Sequence, residues 1–571
     1  MISHRSGKAP KKRAKFLYLL IVGFFVVALR LVDVQLLKHD KYERLSLNQS
    51  QTKVIIPAKR GRILDRHGQV LAESFYAPNL VADPVIFNLK EKDHPSLKRI
   101  ANVCGLSFEE LCERLQRKKR RYVVLAKQLD LDQVEEISVI VRGLPGINFE
   151  KNWGRFYALG EMLSPVIGVV GAKHTGLEGL EARYNHVLKG TEGKLLHTRD
   201  GKRGILKEER LSEPQVGKDL KLSIDSVIQT FLFKELNRGF LKYEPISASG
   251  VVIDPHSGEI LAMATLPSHR PGQRISRDLK GLRPKMCLDV YEPGSTIKPF
   301  IYAAMLEDKL CKPTDTLHCG YGKKRFFGNR TVHDVGRYGE ISMETVIIKS
   351  SNIGVAQMGI KLGKQRVHQI LDQLGFGHRN HLPFPGEPRG LLRPVSKWDN
   401  YSIVSIPYGH EMSVTLVQLA RAYAAVANGG TVIQPCLEKA ILTQNGTTDR
   451  EGTGLPMAKV FSKNTCELTL KALGGVVNLG TGRKARSSIY QVGGKSGTTE
   501  KIVNGKYSPD HNSSSFVAVA PLSDPKLVVA VMLDEPQAPR GKRGGGSVAA
   551  PIVRHVLEDS LQFMSIPSDI N

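Results

Sequence analysis

The run "FLYLLIVGFFVVAL", Phe16 to Leu29, holds no charge and follows directly on a segment carrying Arg5, Lys8, Lys11, Lys12, Arg13 and Lys15. No other feature constrains the chain as much. An uncharged apolar stretch beside a basic, acid-free one predicts a membrane helix with its N-terminus in the cytoplasm. The run is shorter than a bilayer requires, and "RLVDVQLL" (30–37) extends it, with Arg30 and Asp33 one helical turn apart. A cleaved signal peptide is the rival reading, but no small-x-small cleavage site follows. There is no second long apolar run, so everything beyond about residue 38 is expected outside the cytoplasm, the chain being single-pass.

That placement limits what the charge can mean. The formal net charge of +27 favours polyanionic partners: nucleic acid, anionic lipid head groups or pyrophosphate-linked cell-wall precursors. Outside the cytoplasm nucleic acid drops out. "RGKRGGGS" (540–547) resembles an RNA-binding Arg-Gly-Gly segment, and a single copy reads as a flexible loop. Seven cysteines without a Cys-x-x-Cys pair argue against a zinc site. Cys311 and Cys319 bracket "KPTDTLH", where a local disulfide or two isolated buried thiols would both fit.

The organisation expected is a basic cytoplasmic tail (1–15), an anchor (16–37), a charge-rich mixed pedestal module (38–220) and a second domain (221–571). In the pedestal, "RGRILDRHGQVLAES" (60–74) sets Asp65 among Arg60, Arg62 and Arg66, either a solvated turn or a salt-bridged knot joining distant segments. Beyond residue 221 comes an amphipathic helix capped by Asp225 or Ser226. Hairpins follow at 247–267 and 514–536, and a last helix over "SVAAPIVRHVLEDSLQFM". Strands and helices from both ends of this domain flank a long helical middle. The fold class is therefore α+β, an antiparallel sheet flanked by helices plus an all-helical subdomain.

Ser-x-x-Lys occurs at Ser50–Lys53, Ser295–Lys298 and Ser523–Lys526. Ser523 lies in a hairpin turn with Pro525, and Ser50 in a polar stretch without helical periodicity. Ser295 differs. Ile297, Phe300, Ile301 and Ala304 fall at helical core spacing, so a helix starts near Ser295 and Lys298 shares its first turn. A capping serine beside an exposed lysine is the bland alternative, and it fits poorly because Lys298 sits between core positions. A serine hydroxyl becomes nucleophilic when a base takes its proton, and a neutral lysine can be that base. A second cation about 6 Å away would depress the lysine by about two pK units. "QVGGKSGTTEKI" (491–502) offers one in Lys495, in a strand-like segment where Gly497 marks close approach of another backbone, such as a bound peptide. Between the two motifs lies Ser350-Ser351-Asn352.

Helix-start Ser-x-x-Lys, then Ser-x-Asn, then Lys-Ser/Thr-Gly is the ordered signature of the penicilloyl-serine transferases. The chain resembles class B penicillin-binding proteins, especially their FtsI-like septal members. The resemblance runs through "RGRILDRHG" (60–68), "GLEGLE" (176–181), "YEPGSTIKPF" (291–300), "SSNIG" (350–354), "IPYGHEMSVT" (406–415) and "KSGTTEK" (495–501). It departs at Ala158, where the family usually has proline, and at "PSHRPG" (267–272), in place of an asparagine-bearing segment.

The resemblance implies a D,D-transpeptidase that cross-links peptidoglycan stem peptides and is acylated by β-lactams. Ser295 would be the nucleophile and Lys298 its base. Ser350 would relay a proton to the leaving D-alanine, and Asn352 would orient Lys298 and the substrate. Lys495, Ser496 and Thr498 would engage the substrate carboxylate, the stem peptide lying along the Gly497 strand, with N–H groups of Ser295 and Thr498 holding the oxyanion. No cofactor or metal is implied. The implied partners are lipid II-derived glycan, a SEDS-type glycosyltransferase such as FtsW, and other divisome membrane proteins. An elongation-type transpeptidase, a β-lactam hydrolase and a non-catalytic scaffold are the alternatives. The hydrolase lacks a recognisable Glu-x-x-x-Asn segment, Glu387 reading as a turn residue. A sensor protease would need a second histidine after His410-Glu411.

Overall fold

The computed structural model describes residues 10–570 apart from 88–93, 118–121, 172–173, 201–204, 272–282, 322–323, 329, 453 and 540. Most of the basic tail, including Arg5 and Lys8, lies outside the described residues, as do residue 272 of "PSHRPG" and the first residue of "RGKRGGGS". The chain packs as two compact units, Met1–Ala58 with Thr191–Gln215, and Lys59–Gly190 with Val216–Asn571.

In the first unit the helix Pro10–Val32 widens into a π turn at Asp33–Leu37 and restarts as His39–Ser50. Among the described residues, Arg13–Leu37 is the one helix long and apolar enough to cross a membrane, and its apolar side chains are largely exposed. Arg30 and Lys38 both pair with Asp33, Lys38 at 2.8 Å. Ser50 ends a helix rather than lying outside one, and Lys53 sits on the following strand, Gln51–Ile56. The sequence "HDKYERLSLNQS" has too few apolar residues to show a stripe, so periodicity could not reveal that helix. Gln51–Ile56 pairs antiparallel with Gly193–Arg199, which pairs with Ile205–Ser212.

The second unit opens on the arginine knot. Arg60 and Glu181, both fully buried, meet at 2.6 Å, and Arg155 takes the other Glu181 oxygen at 2.8 Å. Arg62 pairs with Asp219 at 2.7 Å and Arg66 with Glu259 at 2.9 Å. Asp65 pairs with none of these arginines. Its carboxylate accepts from the N–H groups of His67 and Gln69 and from the Ser226 hydroxyl, each at 2.8 Å. The segment is a knot, with partners that sequence spacing could not indicate.

The larger domain is built on a five-stranded antiparallel sheet. Its elements in chain order are α1 (Ser226–Tyr243), β1 (Ser247–Ile253), β2 (Ile260–Leu266), α2 (Lys298–Glu307), α3 (Met343–Lys349), α4 (Asn352–Leu362), α5 (Leu416–Ala427), α6 (Lys463–Leu479), β3 (Gly493–Val503), β4 (Lys506–Ala520), β5 (Leu527–Asp534) and α7 (Ala550–Phe563). The sheet order is β2-β1-β5-β4-β3, so segments from both ends of the domain close one sheet and β3 is an edge. Asp225 caps α1 by accepting from Val227 and Ile228 N–H. Helices α1 and α7 cover one sheet face. Helix α5, buried along its whole length, packs on the other, and α6 lies against β3. The seven cysteines are free thiols; Cys311 and Cys319 are buried singly.

Candidate active site

Gly294–Ile297 forms a 3₁₀ turn that runs straight into α2, where Pro299 occupies the first turn, in which a missing N–H costs nothing. Ser295 therefore lies just ahead of the helix rather than at its cap, and its side chain makes no capping bond. It is partly exposed, while Ile297, Phe300, Ile301 and Ala304 are fully buried. The Tyr423 hydroxyl donates to Thr296 O at 2.8 Å, and the Tyr423 ring meets Phe300 edge-on at 5.1 Å. The turn carrying Ser295 is thus fastened to α5.

Lys298 is fully buried. Its Nζ lies 2.6 Å from Ser350 O, 2.6 Å from Asn352 Oδ1 and 3.2 Å from Ser350 Oγ. Lys495, also fully buried, approaches the same Ser350 Oγ at 2.9 Å and its own strand's Ser496 O at 3.2 Å. Burial pushes both amines down, Lys495 to about 7. For Lys298 the Lys495 charge adds to burial, and Asp334 opposes them. The two lysines share one hydroxyl, so their separation is of the order that the electrostatic argument needed.

Ser350 is the residue where α3 ends and turns to α4, and it adopts φ 61°. This left-handed conformation is uncommon for a residue with a β-carbon, and it brings both Ser350 oxygens to Lys298. Asn352 Nδ2 donates to His333 O at 2.9 Å, which fixes which end of the amide faces Lys298.

On β3, Gly497 is buried, and a β-carbon there would lie 2.5 Å from Ser515 Oγ, 2.9 Å from Pro293 O and 3.0 Å from Thr296 Cγ2. The backbone that Gly497 admits is thus the chain's own, the turn carrying Ser295. Ser496 Oγ pairs with Thr481 Oγ1 at 2.9 Å, and Thr498 Oγ1 accepts from Gly545 N–H at 3.1 Å. The arrangement joins Lys298, Ser350, Asn352 and Lys495 by direct contacts, seats Ser295 on the same turn as Lys298, and leaves Ser496 and Thr498 along a sheet edge. Lys495, fully buried, is not exposed at that edge.

Residues 248–558 match the penicillin binding protein transpeptidase domain, and residues 55–222 match the penicillin-binding protein dimerisation domain. The chain belongs to the class B penicillin-binding proteins. Among relatives of this class, it is 31% identical to the probable peptidoglycan D,D-transpeptidase PenA of Neisseria gonorrhoeae, covering 94% of this chain and 89% of that one. It is 31% identical to the stage V sporulation protein D of Bacillus subtilis (98% and 87%), and 27% to the peptidoglycan D,D-transpeptidase FtsI of Escherichia coli (98% and 95%). Its fold superposes on the crystal structure of penicillin binding protein 2X from Streptococcus thermophilus with a TM-score of 0.77 at 24% identity, over 90% of this chain and 81% of that one. The protein is accordingly a peptidoglycan D,D-transpeptidase, an acyltransferase of the serine type.

Three parts of the candidate site escaped sequence reasoning. Asp334 is buried beneath the Ser350–Asn352 turn and has no motif of its own. Thr481 meets Ser496 from a loop that no spacing singles out. Gly545 and Gly546 of "RGKRGGGS", read as a flexible loop, lie in a packed turn, Gly545–Val548, against β3 and β4. A β-carbon on Gly545 would fall 1.9 Å from Ser515 O and 2.6 Å from Gly497 O. The glycine run itself was the available signal, because close backbone approach and loop flexibility demand the same residue. Glu387 is indeed a turn residue, accepting the N–H groups of Asn380 (2.8 Å) and Leu382 (3.2 Å).

Proposed function

We propose that Ser295 attacks the carbonyl carbon of the terminal D-Ala–D-Ala bond of a stem peptide, with Lys298 as the base that takes its proton. The observation that carries this reading is the set of contacts around Lys298 Nζ. A neutral amine has two N–H donors and one lone pair. Ser350 O and Asn352 Oδ1, both at 2.6 Å, accept the two protons, leaving the lone pair for a hydroxyl proton. Burial and the neighbouring Lys495 favour that neutral form.

The tetrahedral intermediate then collapses and expels D-alanine, whose nitrogen receives a proton through Ser350. Asn352 orients Lys298 and the substrate amide. Lys495 keeps positive charge near the substrate carboxylate, which Ser496 and Thr498 bind. The stem peptide pairs along β3, which as an edge strand has main-chain groups free of the sheet, with Gly497 offering backbone alone. N–H groups of Ser295 and Thr498 stabilise the oxyanion. An amine from a neighbouring stem attacks the acyl-enzyme and releases Ser295. β-Lactams acylate the same serine.

The division into tail (1–15), anchor (16–37), pedestal (38–220) and transpeptidase domain (221–571) is part of this reading, with the catalytic domain on the outer face of the cytoplasmic membrane. Septal use is favoured by likeness to FtsI over 98% of this chain. It implies a SEDS-type glycosyltransferase such as FtsW and other divisome membrane proteins as partners, the glycosyltransferase met through the anchor and the 40–220 module. Membranes are labelled with a fluorescent penicillin for the native chain and Ser295→Ala. Label is expected on the native chain alone; a labelled alanine variant would remove Ser295 from its role, and rapid loss of label from the native chain would favour a hydrolase. Depletion in cells distinguishes septal use, which gives filaments, from elongation use, which gives rounded cells. Neutralising Arg30 and Asp33 is expected to weaken co-purification with the glycosyltransferase.

A further inference from the structure

Asp334 follows the strand Arg330–His333 and is 7% exposed. Its carboxylate accepts from Ser351 Oγ and from Asn352 N–H, both at 2.6 Å, and from Ile353 N–H at 3.1 Å. Ser351 Oγ in turn accepts from Gly354 N–H at 2.9 Å. The first-turn donors of α4 are thereby taken, with an anion where the helix's positive end favours one. Capping alone would not call for this carboxylate, because Ser351 already supplies a cap of ordinary type. The same turn holds Ser350 at φ 61° and presents Ser350 O, Ser350 Oγ and Asn352 Oδ1 to Lys298 Nζ.

We propose that Asp334 is a positioning residue for acyl transfer: its carboxylate clamps the 350–353 turn so that the three oxygens around Lys298 Nζ hold that amine in its working place. The inference rests on the reading of Lys298 as base. The clamp also carries a charge. The charged groups facing Lys298 are Lys495, on β3, and Asp334; the first disfavours the ammonium form and the second favours it. The titratable groups facing Asp334 are Lys298, the Cys319 thiol and the Tyr338 phenol, and burial raises both of the latter, so neither becomes an anion near neutral pH. Asp334 therefore helps set the pH at which Lys298 gives up its proton.

The test is the second-order rate of acylation by fluorescent penicillin against pH, measured on the full chain in detergent for the native protein, Asp334→Asn, Ser351→Ala and Ser295→Ala. Asp334→Asn is expected to lower the high-pH plateau about tenfold to a hundredfold. It should also move the acid limb to lower pH, because the ammonium form loses its nearest anion. Ser351→Ala keeps the charge and loses one clamp contact, so the plateau falls severalfold while the limb stays in place. A native plateau in Asp334→Asn, or an unmoved limb beside a lowered melting temperature, would make Asp334 a structural cap and overturn the proposal. Should Asp334→Asn fail to fold, a native plateau in Ser351→Ala would overturn it equally. Acylation of Ser295→Ala would instead overturn the reading of the nucleophile and leave the clamp without a reaction to position.

Discussion

Lys298 and Lys495 show how burial changes the ordinary chemistry of one residue type. Both amines are withheld from water, and the Lys495 charge further disfavours that of Lys298. The cost falls on stability. Lys495 titrates at about 7 in the folded chain, against roughly 10.4 when unfolded. Between those values the unfolded chain binds the extra proton, so folding stability rises with pH across that window; below pH 7 the full cost of the buried charge is present. Lys495→Met is therefore expected to melt above the native protein at pH 6 and to lose part of the native rise in melting temperature between pH 7 and 9. The same substitution removes the charge that depresses Lys298, so the acid limb of penicillin acylation should move to higher pH while its rate falls sharply. Thermal melts and rate–pH profiles on one set of samples check both. The pairing of these lysines was legible, since Ser-x-x-Lys and Lys-Ser-Gly are local patterns. Asp334 was not, because its three bonds join segments that no periodicity connects.

At the scale of elements, β3 is the piece on which everything converges. It is a sheet edge, it carries Lys495 inward, and two turns meet it at Gly497: Pro293–Thr296 and Gly545–Val548, the latter also touching Ser515 on β4. Gly545→Ala would drive a methyl group into Ser515 O and Gly497 O, backbone atoms that cannot swing away. The expected result is a loss of about 1–3 kcal/mol in stability. Acylation should slow at least tenfold, because β3 shifts relative to Ser295. Denaturant unfolding and penicillin acylation measure the two effects; a variant that loses stability but acylates at the native rate would show that the glycine turn does not position β3. The hairpins at 247–267 and 514–536 were legible from alternation and turn residues. That the C-terminal glycine run packs against β3 was not, since glycine marks a loop and a close contact alike.

For the molecule as a whole, the arginine knot ties the segment at residue 60 to the helix carrying Glu181 and, through Arg66 and Glu259, to the edge of β2. Arg60→Ala takes one of the two cationic partners from the buried Glu181 carboxylate, leaving Arg155, and is expected to destabilise by about 3–5 kcal/mol. Lys59–Gly190 packs with the sheet domain as one compact unit, so the loss should appear as a lowered denaturation midpoint of that whole unit, read by tryptophan fluorescence and by penicillin-binding competence together. Coincident transitions are expected. A pedestal that melts while acylation persists would mean that the knot stabilises only its own surroundings. The net charge of +27 belongs to this scale as well, and it favours anionic partners.

By itself the sequence determined the single apolar span, the α+β class, the two hairpins and the ordered triple of motifs, because each is written in residues that neighbour one another along a strand or helix. It also determined that Lys298 would be buried, since core positions flank it. The tertiary structure alone decided that Ser295 lies ahead of its helix rather than capping it, that Gly497 makes room for the chain's own turn, that the arginines find Glu181, Asp219 and Glu259 rather than Asp65, and that Asp334 sits beneath the site. Those are contacts between segments far apart in sequence. Their choice depends on which groups burial leaves without water, and the chain order does not carry that information.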